Sequence, residues 1–214
     1  MRHFAKALIV AAGVLMFMAP RAFADNVVDF NGSYAFGNNG VGIPPYGGTL
    51  NGQAEEFYCV DFSHDISSGD SWDVAITPIT NSANYSGTYL FTGSNATTET
   101  IYEEFAWLIT QEQASSNQNA IAADQWAIWS LSGGSDPYSG SESAATLLAA
   151  ASAAVSGGYT AQGWEILTPD NGTHGQEFLV QTPEPGSLAL LGIGLCAMLF
   201  FVKRSEWLGL RRSA

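Results

Sequence analysis

Basic residues are absent from most of this 214-residue chain. All seven lysines and arginines lie before residue 25 or after residue 182, and the stretch between them holds nine aspartates and nine glutamates. Binding to phosphate backbones or anionic lipid headgroups depends on lysine and arginine, and a surface with this charge repels both. The composition therefore excludes nucleic acid and an anionic membrane surface as partners of residues 25–182.

Long apolar runs are confined to the two ends of the chain. After a basic start, residues 7–18 form an apolar run of 12 residues. This run is shorter than the roughly 17–25 residues that span a bilayer. Ala22 and Ala24 then form an A-x-A cleavage site. We therefore expect residues 1–24 to be a signal peptide and the mature chain to begin at Asp25.

The C-terminal region shows three features in a fixed order. Pro183, Glu184 and Pro185 come first, an apolar stretch follows at 187–202, and the chain ends in a basic tail. Positive charge holds such a tail in the cytoplasm. The order resembles the PEP-CTERM sorting signal of Gram-negative bacteria. The resemblance implies that an exosortase, a membrane transpeptidase-like protease, recognises residues 183–214 and removes a transmembrane helix, the only part of the chain that contacts the membrane. A plain C-terminal anchor is the alternative.

Cysteine is as scarce as positive charge, since Cys59 and Cys196 are the only two. Cys196 lies in the apolar stretch of the sorting signal, which leaves Cys59 without an intramolecular disulfide partner. An odd cysteine in an exported domain indicates either intermolecular pairing or a reactive thiol. Cys59 is therefore a candidate functional residue.

The remaining residues, 25–182, are long enough for one domain, and their pattern changes near Thr98. The Gly- and Asn-rich segment 25–51 is typical of loops and short edge strands, so no regular element is assigned there. We predict strands at 56–66, 72–79 and 87–93. We predict helices at 100–112, 119–131 and 141–155, the first and third starting at capping boxes at Thr100 and Ser139. Two strand-like segments follow. The fold class is α+β, a β-rich sandwich or barrel with a small inserted helical subdomain of about three helices.

The predicted second helix places one glutamine among apolar residues. Gln125 shares a face with Ile121, Ile128 and Trp129, which lie three and four positions away. Its carboxamide therefore points inward, where an amide without partners costs roughly 1–3 kcal/mol. Attack of the Cys59 thiolate on the Gln125 side-chain carbonyl, with loss of ammonia, would form an intramolecular thioester. That reaction would remove both the buried amide donors and the free thiol.

Two short motifs surround this candidate pair. The strand motif is aromatic-Cys-aliphatic, with Tyr58, Cys59 and Val60. The helix motif is Gln-x-Ala-Ile-Trp, with Gln125, Ala127, Ile128 and Trp129. Together they resemble the bacterial thioester domains found on surface adhesins. The resemblance implies a β-sandwich or barrel with a small helical part, in which a thioester cross-link joins strand to helix.

The expected function follows from the reactivity of a thioester. A partner amine or hydroxyl would attack the carbonyl, become joined to Gln125 and release Cys59 as a thiol. The protein would be a single-use attachment module of the cell surface or extracellular matrix, not an enzyme, and its partner would be a surface protein or polysaccharide with nucleophilic groups. Water must be excluded until the partner arrives. The predicted thioester pocket consists of Phe57, Tyr58, Trp126, Ile128 and Trp129.

Other interpretations of the same residues remain open. Cys59 and Gln125 would be a packed thiol and a hydrogen-bonded amide in a non-covalent structural or biofilm matrix protein. A Cys-His-Asp peptidase with His64 and Asp65 is a second alternative, although no family nucleophile motif surrounds the cysteine. His64 is also a candidate helper base for the thioester reaction. No cluster with metal-ligand spacing appears, so neither a metal nor a cofactor is expected.

Overall fold

The computed structural model describes residues 26–170 and 175–182, together with Gly194. Its strands are β1 (Asn26–Ser33), β2 (Phe36–Asn38), β3 (Val41–Ile43), β4 (Tyr46–Leu50), β5 (Gln53–Cys59), β6 (Ser71–Pro78), β7 (Trp164–Pro169) and β8 (Phe178–Gln181). Six of them close an antiparallel barrel in the order β1-β4-β5-β8-β7-β6, and β6 pairs back onto β1. Strands β2 and β3 pair only with each other. The structure therefore confirms the barrel form of the predicted fold.

Three α-helices are inserted between β6 and β7, as predicted. They are α1 (Asn95–Ala114), α2 (Gln118–Trp129) and α3 (Ala144–Ser156), with a short 3-10 helix, Gly140–Glu142, before α3. The predicted starts of α1 and α3 are wrong. The hydroxyls of Ser94 and Ser143 cap these helices by accepting from the amides of Thr97 and Thr146. A nearby serine thus satisfies the first-turn N–H groups in each helix, and the predicted capping boxes are not used.

The Gly- and Asn-rich segment contains regular structure that the sequence analysis missed, because β1 to β4 all lie within it. Its hairpins turn at Asn39-Gly40 and Asn51-Gly52, and all four of these residues have positive φ. Asn-Gly is the usual sequence of such tight turns. Gly48 of β4 is also required sterically, since a Cβ there would lie 2.1 Å from the carbonyl oxygen of Asp29. The glycines therefore allow close strand pairing in this segment.

Two of the predicted strands need correction. The strand predicted at 56–66 ends at Cys59, because the chain then leaves the sheet and the Phe62 amide donates to the hydroxyl of Ser132, 2.9 Å away. The segment predicted as a strand at 87–93 consists of turns. There the Thr88 hydroxyl donates to the Tyr85 carbonyl at 2.9 Å. The remaining prediction, at 72–79, matches β6.

The buried side chains form two separate clusters. The first, which we call the interior cluster, alternates along all six barrel strands and therefore fills the barrel; it includes Val28, Tyr46, Phe57, Cys59, Trp72 and Phe178. The second lies between the outer barrel wall and the helices; it includes Tyr58, Val60, Tyr102, Phe105, Ile166 and Leu179. Strands β5 and β8 are thus apolar on both faces. Helix α2 contributes to both clusters, because Trp126 belongs to the first and Ile128 to the second.

Among the described residues, no helix is long and apolar enough to cross a membrane. The predicted signal peptide at 1–24 and the predicted transmembrane helix at 187–202 lie outside the described residues, as do Pro183, Glu184 and Pro185.

Two carboxyl groups, one on α1 and one on α2, are buried in the helical layer. Glu112 is 4 % exposed, and in the part of the chain that the structure describes neither of its carboxyl oxygens has a hydrogen-bond partner. Burial, and secondarily the nearby Asp124, raises the pKa of Glu112 well above its ordinary value. Burial also raises the pKa of Asp124 to about 6. Both groups therefore retain protons in the folded protein at pH values where the unfolded chain has lost them.

From these raised pKa values we predict that the free energy of unfolding falls as pH rises. The contribution of Glu112 and Asp124 to folding stability is fully present below their ordinary pKa values of 4.5 and 3.8. It is lost as pH rises through the higher pKa values of the folded state. The variant Glu112→Gln has no titratable group at position 112, so its stability should fall less steeply as pH rises. Its Tm at pH 8 should be about 2–4 °C higher than that of wild type. Thermal unfolding followed by circular dichroism at pH 4, 6 and 8 measures the effect. The exposed control Glu56→Gln should behave as wild type, and a wild-type pH profile for Glu112→Gln would contradict the assignment.

Candidate functional site

Cys59 and Gln125 lie 66 positions apart in sequence and in contact in the fold. Cys59 is the last residue of β5, opposite Phe178 at the start of β8, so it marks one end of the barrel. Helix α2 lies across this end and inserts Trp126 and Trp129 into the interior cluster. The Gln125 amide donates to the backbone carbonyl of Cys59 at 2.8 Å. The two predicted cross-link residues are therefore neighbours, and both are fully buried.

The remaining polar atoms of the pair are unequally satisfied. The Cys59 thiol donates to the backbone carbonyl of Asp61 at 3.1 Å. The side-chain oxygen of Gln125 is buried and has no hydrogen-bond partner among the described residues. An unsatisfied buried acceptor costs roughly 1–3 kcal/mol. The unsatisfied group at this site is therefore the amide oxygen, because the amide nitrogen already has a partner.

Burial controls the ionisation of the thiol. It raises the pKa of Cys59 to about 12, and the backbone of Asp61 lowers that pKa by a smaller amount. Trp129 also lowers the pKa of Cys59, even though its indole nitrogen makes no hydrogen bond of normal geometry. The negative charges of Asp61 and Glu177 act in the same direction as burial. At neutral pH the sulfur therefore carries its proton, and any reaction must first remove it.

Three aromatic rings pack together beside the pair. Phe62 lies 5.3 Å from Trp126 and 5.2 Å from Trp129, measured between ring centroids. The two tryptophans meet edge to face at 5.2 Å. Phe57, also predicted for the pocket, lies in the interior cluster and stacks on Phe178. Phe62 is held here because its amide donates to a serine hydroxyl just after α2, a long-range contact without a sequence signal.

The other two predicted pocket residues belong to a different environment. Tyr58 and Ile128 lie in the cluster between the barrel and the helices. The Tyr58 ring contacts Trp164 edge to face at 6.0 Å. The position of Tyr58 follows from strand periodicity, because the residue next to Cys59 on β5 must point to the opposite face. The structure thus brings Phe57, Trp126 and Trp129, but not these two, into the cluster that contains Cys59.

His64 reaches the pair only through Asp61. Its Nδ1 lies 2.7 Å from the Asp61 carboxylate, and the backbone carbonyl of Asp61 accepts the Cys59 thiol. Asp61 is buried, whereas His64 is 36 % exposed. Gln176 secures this arrangement by donating to the backbone carbonyls of Asp61 and His64. Asp61 and Gln176 are functional candidates that sequence reasoning missed, since their roles depend on backbone atoms that carry no residue-specific signal.

The surface of the described fold has a cavity beside His64 and a larger groove beside α1. A cavity of about 370 Å³ is lined by Ser63, His64, Asp65, Asp70, Ser71, Trp72 and Gly175. A larger groove, of about 960 Å³, runs between α1 and the ends of β6, β7 and β8, and none of the predicted site residues line it. In the described part of the chain, no group of three or more His, Cys, Asp or Glu side chains is placed to hold a metal ion.

Comparison with known proteins identifies the C-terminal signal. Residues 181–205 match the PEP-CTERM protein-sorting motif, which includes the predicted Pro183, Glu184 and Pro185. The predicted sorting signal is therefore confirmed. The motif implies export, processing by an exosortase, and a location in the cell envelope or at the cell surface. No curated protein and no solved structure matches the chain significantly. The similarity to thioester domains therefore stays a prediction.

The aromatic cluster provides a direct test of the site's packing. We expect Phe62→Ala to lower the free energy of unfolding by about 2 kcal/mol, because a half-buried phenylalanine contributes roughly half of what a fully buried one does. Tryptophan fluorescence should shift to longer wavelength as Trp126 and Trp129 lose their cover. Urea denaturation and emission spectra measure both effects. Tyr34, which is 53 % exposed, is the matched control, and Tyr34→Ala should change stability by less than about 0.5 kcal/mol.

Proposed function

We propose that residues 25–182 form a covalent attachment module whose reactive group is a thioester between Cys59 and Gln125. The observation that carries this proposal is the contact between the two residues, both fully buried, at the end of the barrel. Nothing in their sequence separation requires that contact. Its occurrence at the one cysteine of the domain supports the predicted cross-link.

The reaction balances without any other reagent. The sulfur of Cys59 bonds to the side-chain carbonyl carbon of Gln125, and the bond from that carbon to the amide nitrogen breaks. The thiol proton leaves with the nitrogen as ammonia. The hydrogen bond that now holds the amide against the Cys59 carbonyl would be lost at this step. In the second reaction, a partner amine or hydroxyl bonds to the same carbon, the bond from that carbon to the Cys59 sulfur breaks, and the proton of the partner passes to the sulfur.

Deprotonation of the thiol is the difficult step, because burial raises the pKa of Cys59 to about 12. A helper base would therefore contribute. His64 is suited to this role through Asp61, whose carboxylate bonds to the imidazole and whose carbonyl accepts the thiol. Neither group contacts Gln125 by a hydrogen bond among the described residues. Asp61 positions both groups, since its backbone carbonyl holds the sulfur and its carboxylate holds the imidazole, and His64 is the proposed acceptor of the thiol proton.

The dry surroundings suit a bond that must survive until a partner arrives. Hydrolysis needs water at the carbonyl, and the aromatic rings of Phe62, Trp126 and Trp129 pack beside it. The absence of lysine from residues 25–182 also protects the bond, because neighbouring copies present no side-chain amine that could attack it. Each module reacts once and is not an enzyme. Its partner is a surface protein or polysaccharide that carries amines or hydroxyls, encountered outside the cell.

Intact mass spectrometry tests this proposal. The mature exported protein, purified without reducing agent, should weigh less than its sequence by one ammonia. Methylamine should then add its full mass and release a thiol that reacts with iodoacetamide. Cys59→Ala and Gln125→Ala should each show the full sequence mass and no reaction with methylamine, while their circular dichroism spectra remain those of the folded protein.

The matched control for Gln125→Ala is a second glutamine, Gln53 at the start of β5, whose side chain is exposed. Gln53→Ala should retain both the mass deficit and the methylamine reaction. A wild-type mass equal to the sequence value, together with a free thiol, would show that the pair is only packed. The protein would then be a non-covalent structural or matrix component.

The sorting signal gives a separate prediction. Pro183 and Glu184 lie in the matched motif, so replacing both by alanine should prevent processing by the exosortase. The unprocessed chain should accumulate in the membrane fraction, as measured by immunoblotting of membrane and surface fractions. The exposed Glu142 lies outside the motif, and Glu142→Ala should be processed normally. Normal processing of the double variant would contradict recognition through these residues.

A further inference from the structure

The hairpin formed by β2 and β3 lies next to α2 but does not belong to the barrel. Its strands pair over three residue pairs. The turn residues, Asn39 and Gly40, both have positive φ. A two-stranded hairpin of this size is marginally stable on its own. Contacts with the rest of the protein therefore decide where the hairpin lies.

The base of the hairpin is held by the barrel, because the Tyr46 hydroxyl donates to the Gly42 carbonyl at 2.8 Å and Ile43 is a fully buried member of the interior cluster. At the tip, one side-chain oxygen provides the polar contacts with α2 and the loop that follows it. The Asn38 oxygen accepts from the indole N–H of Trp126 at 3.1 Å and from the Tyr138 hydroxyl at 3.5 Å. It also accepts from the side-chain amide of Asn39 at 3.0 Å, within the hairpin. Phe36 and Val41 add apolar contacts with the interior cluster. A single acceptor thus joins the hairpin, α2 and the loop that follows α2.

The loop that carries Tyr138 is fixed independently. Asp136 accepts from the Tyr138 amide at 2.8 Å and from the Ala144 amide at the start of α3 at 2.7 Å. The hairpin, in contrast, has no ladder to the barrel. If these segments separate, the tip of the hairpin is therefore the part that moves. The loop remains anchored to the helical layer.

Trp126 is the residue through which this contact reaches the site. It follows Gln125 directly, packs against Trp129 and Phe62, and is only 5 % exposed. Its indole N–H has Asn38 as its hydrogen-bond acceptor. Without that acceptor, the N–H would be buried and unpaired, so the closed position of the ring would lose part of its free-energy advantage over positions nearer to water. Loss of the contact therefore favours an arrangement in which the site beneath Trp126 is uncovered.

We propose that Asn38 is a positioning residue that holds Trp126 over the Cys59–Gln125 pair and thereby sets how fast small reagents reach it. Its importance for attachment rests on the proposed thioester, because in that case access determines when the carbonyl meets water or a partner. The inference concerns only how fast a small reagent reaches Cys59 and Gln125. It applies equally to a free Cys59 thiol.

The test compares reagent access in four versions of the mature exported protein: wild type, Asn38→Leu, Asn38→Asp and Asn81→Leu. Intact mass first shows whether the thioester is present. If it is, the rate of methylamine addition is measured; if Cys59 is a free thiol, the rate of its alkylation by iodoacetamide is measured instead. Failure of the proposed function is thus seen in the starting mass, and failure of the present inference is seen in the rates.

We expect Asn38→Leu to react at least about fivefold faster than wild type, as the loss of one buried hydrogen bond implies. Asn38→Asp should react at the wild-type rate, since a carboxylate oxygen also accepts from the indole N–H. Asn81 is exposed and remote from the hairpin, so Asn81→Leu should match wild type. A general loss of packing would not be rescued by aspartate, which separates a positioning role from a structural one.

Two results would overturn the inference. One is an equal rate for all four proteins. The other is equal acceleration by leucine and aspartate, which would show that the acceptor is not what holds Trp126. Near-ultraviolet circular dichroism checks that each variant is folded. If Asn38→Leu is not folded, Asn38→Ala, which also lacks the acceptor but adds no bulk, takes its place with the same expected and contrary results.

Discussion

The hydrogen bond from the Gln125 amide to the Cys59 carbonyl joins the two halves of this protein. One partner belongs to the barrel wall and the other to the inserted helical layer, and the bond lies in a fully buried interface. Apolar contacts alone are non-directional, so they hold α2 near the barrel without fixing its rotation. A buried amide has a preferred partner and direction. Before any cross-link forms, the bond therefore helps to set the rotation of α2, and with it the insertion of Trp126 and Trp129 into the barrel end; the proposed thioester would hold the same two residues together after the bond is lost.

A second constraint is that the barrel wall beneath the helices must be apolar on both faces. The adjoining ends of β5 and β8 meet it with consecutive apolar residues, and Glu177, which directly precedes β8, is fully buried beside them. Its carboxylate accepts from the Thr168 hydroxyl at 2.6 Å, the Tyr89 amide at 2.9 Å and the Tyr102 hydroxyl. These donors come from β7, the turn segment before α1, and α1 itself. A buried carboxylate with several donors is tolerated, and here it links the helical layer to the wall.

The sequence allowed the fold class and the proximity of Cys59 and Gln125 to be predicted, but on different grounds. The helices and strands β6, β7 and β8 have strong apolar patterns. The proximity of the two residues followed from an inward-facing glutamine, an unpaired cysteine and the resemblance to thioester domains, and their cross-link stays a prediction. The segment 26–52 was missed because its strands are built from glycine and asparagine, whose pairing depends on close backbone approach. Asp61, Gln176 and Asn38 were missed for another reason. They act through backbone carbonyls or one long-range acceptor, and neither leaves a pattern in the sequence.

A buried reactive pair faces two conflicting requirements, since the same packing that excludes water also excludes a partner. Opening the barrel end itself would break the Gln125 contact and the interior cluster together, at the cost of much of the protein's stability. A local opening is cheaper when it involves an element with few hydrogen bonds of its own. The hairpin of β2 and β3 is such an element, and it contacts Trp126 through one side-chain acceptor. A short hairpin with no ladder to the barrel therefore lies next to the site that must be reached, and this arrangement reconciles a dry resting state with access from outside.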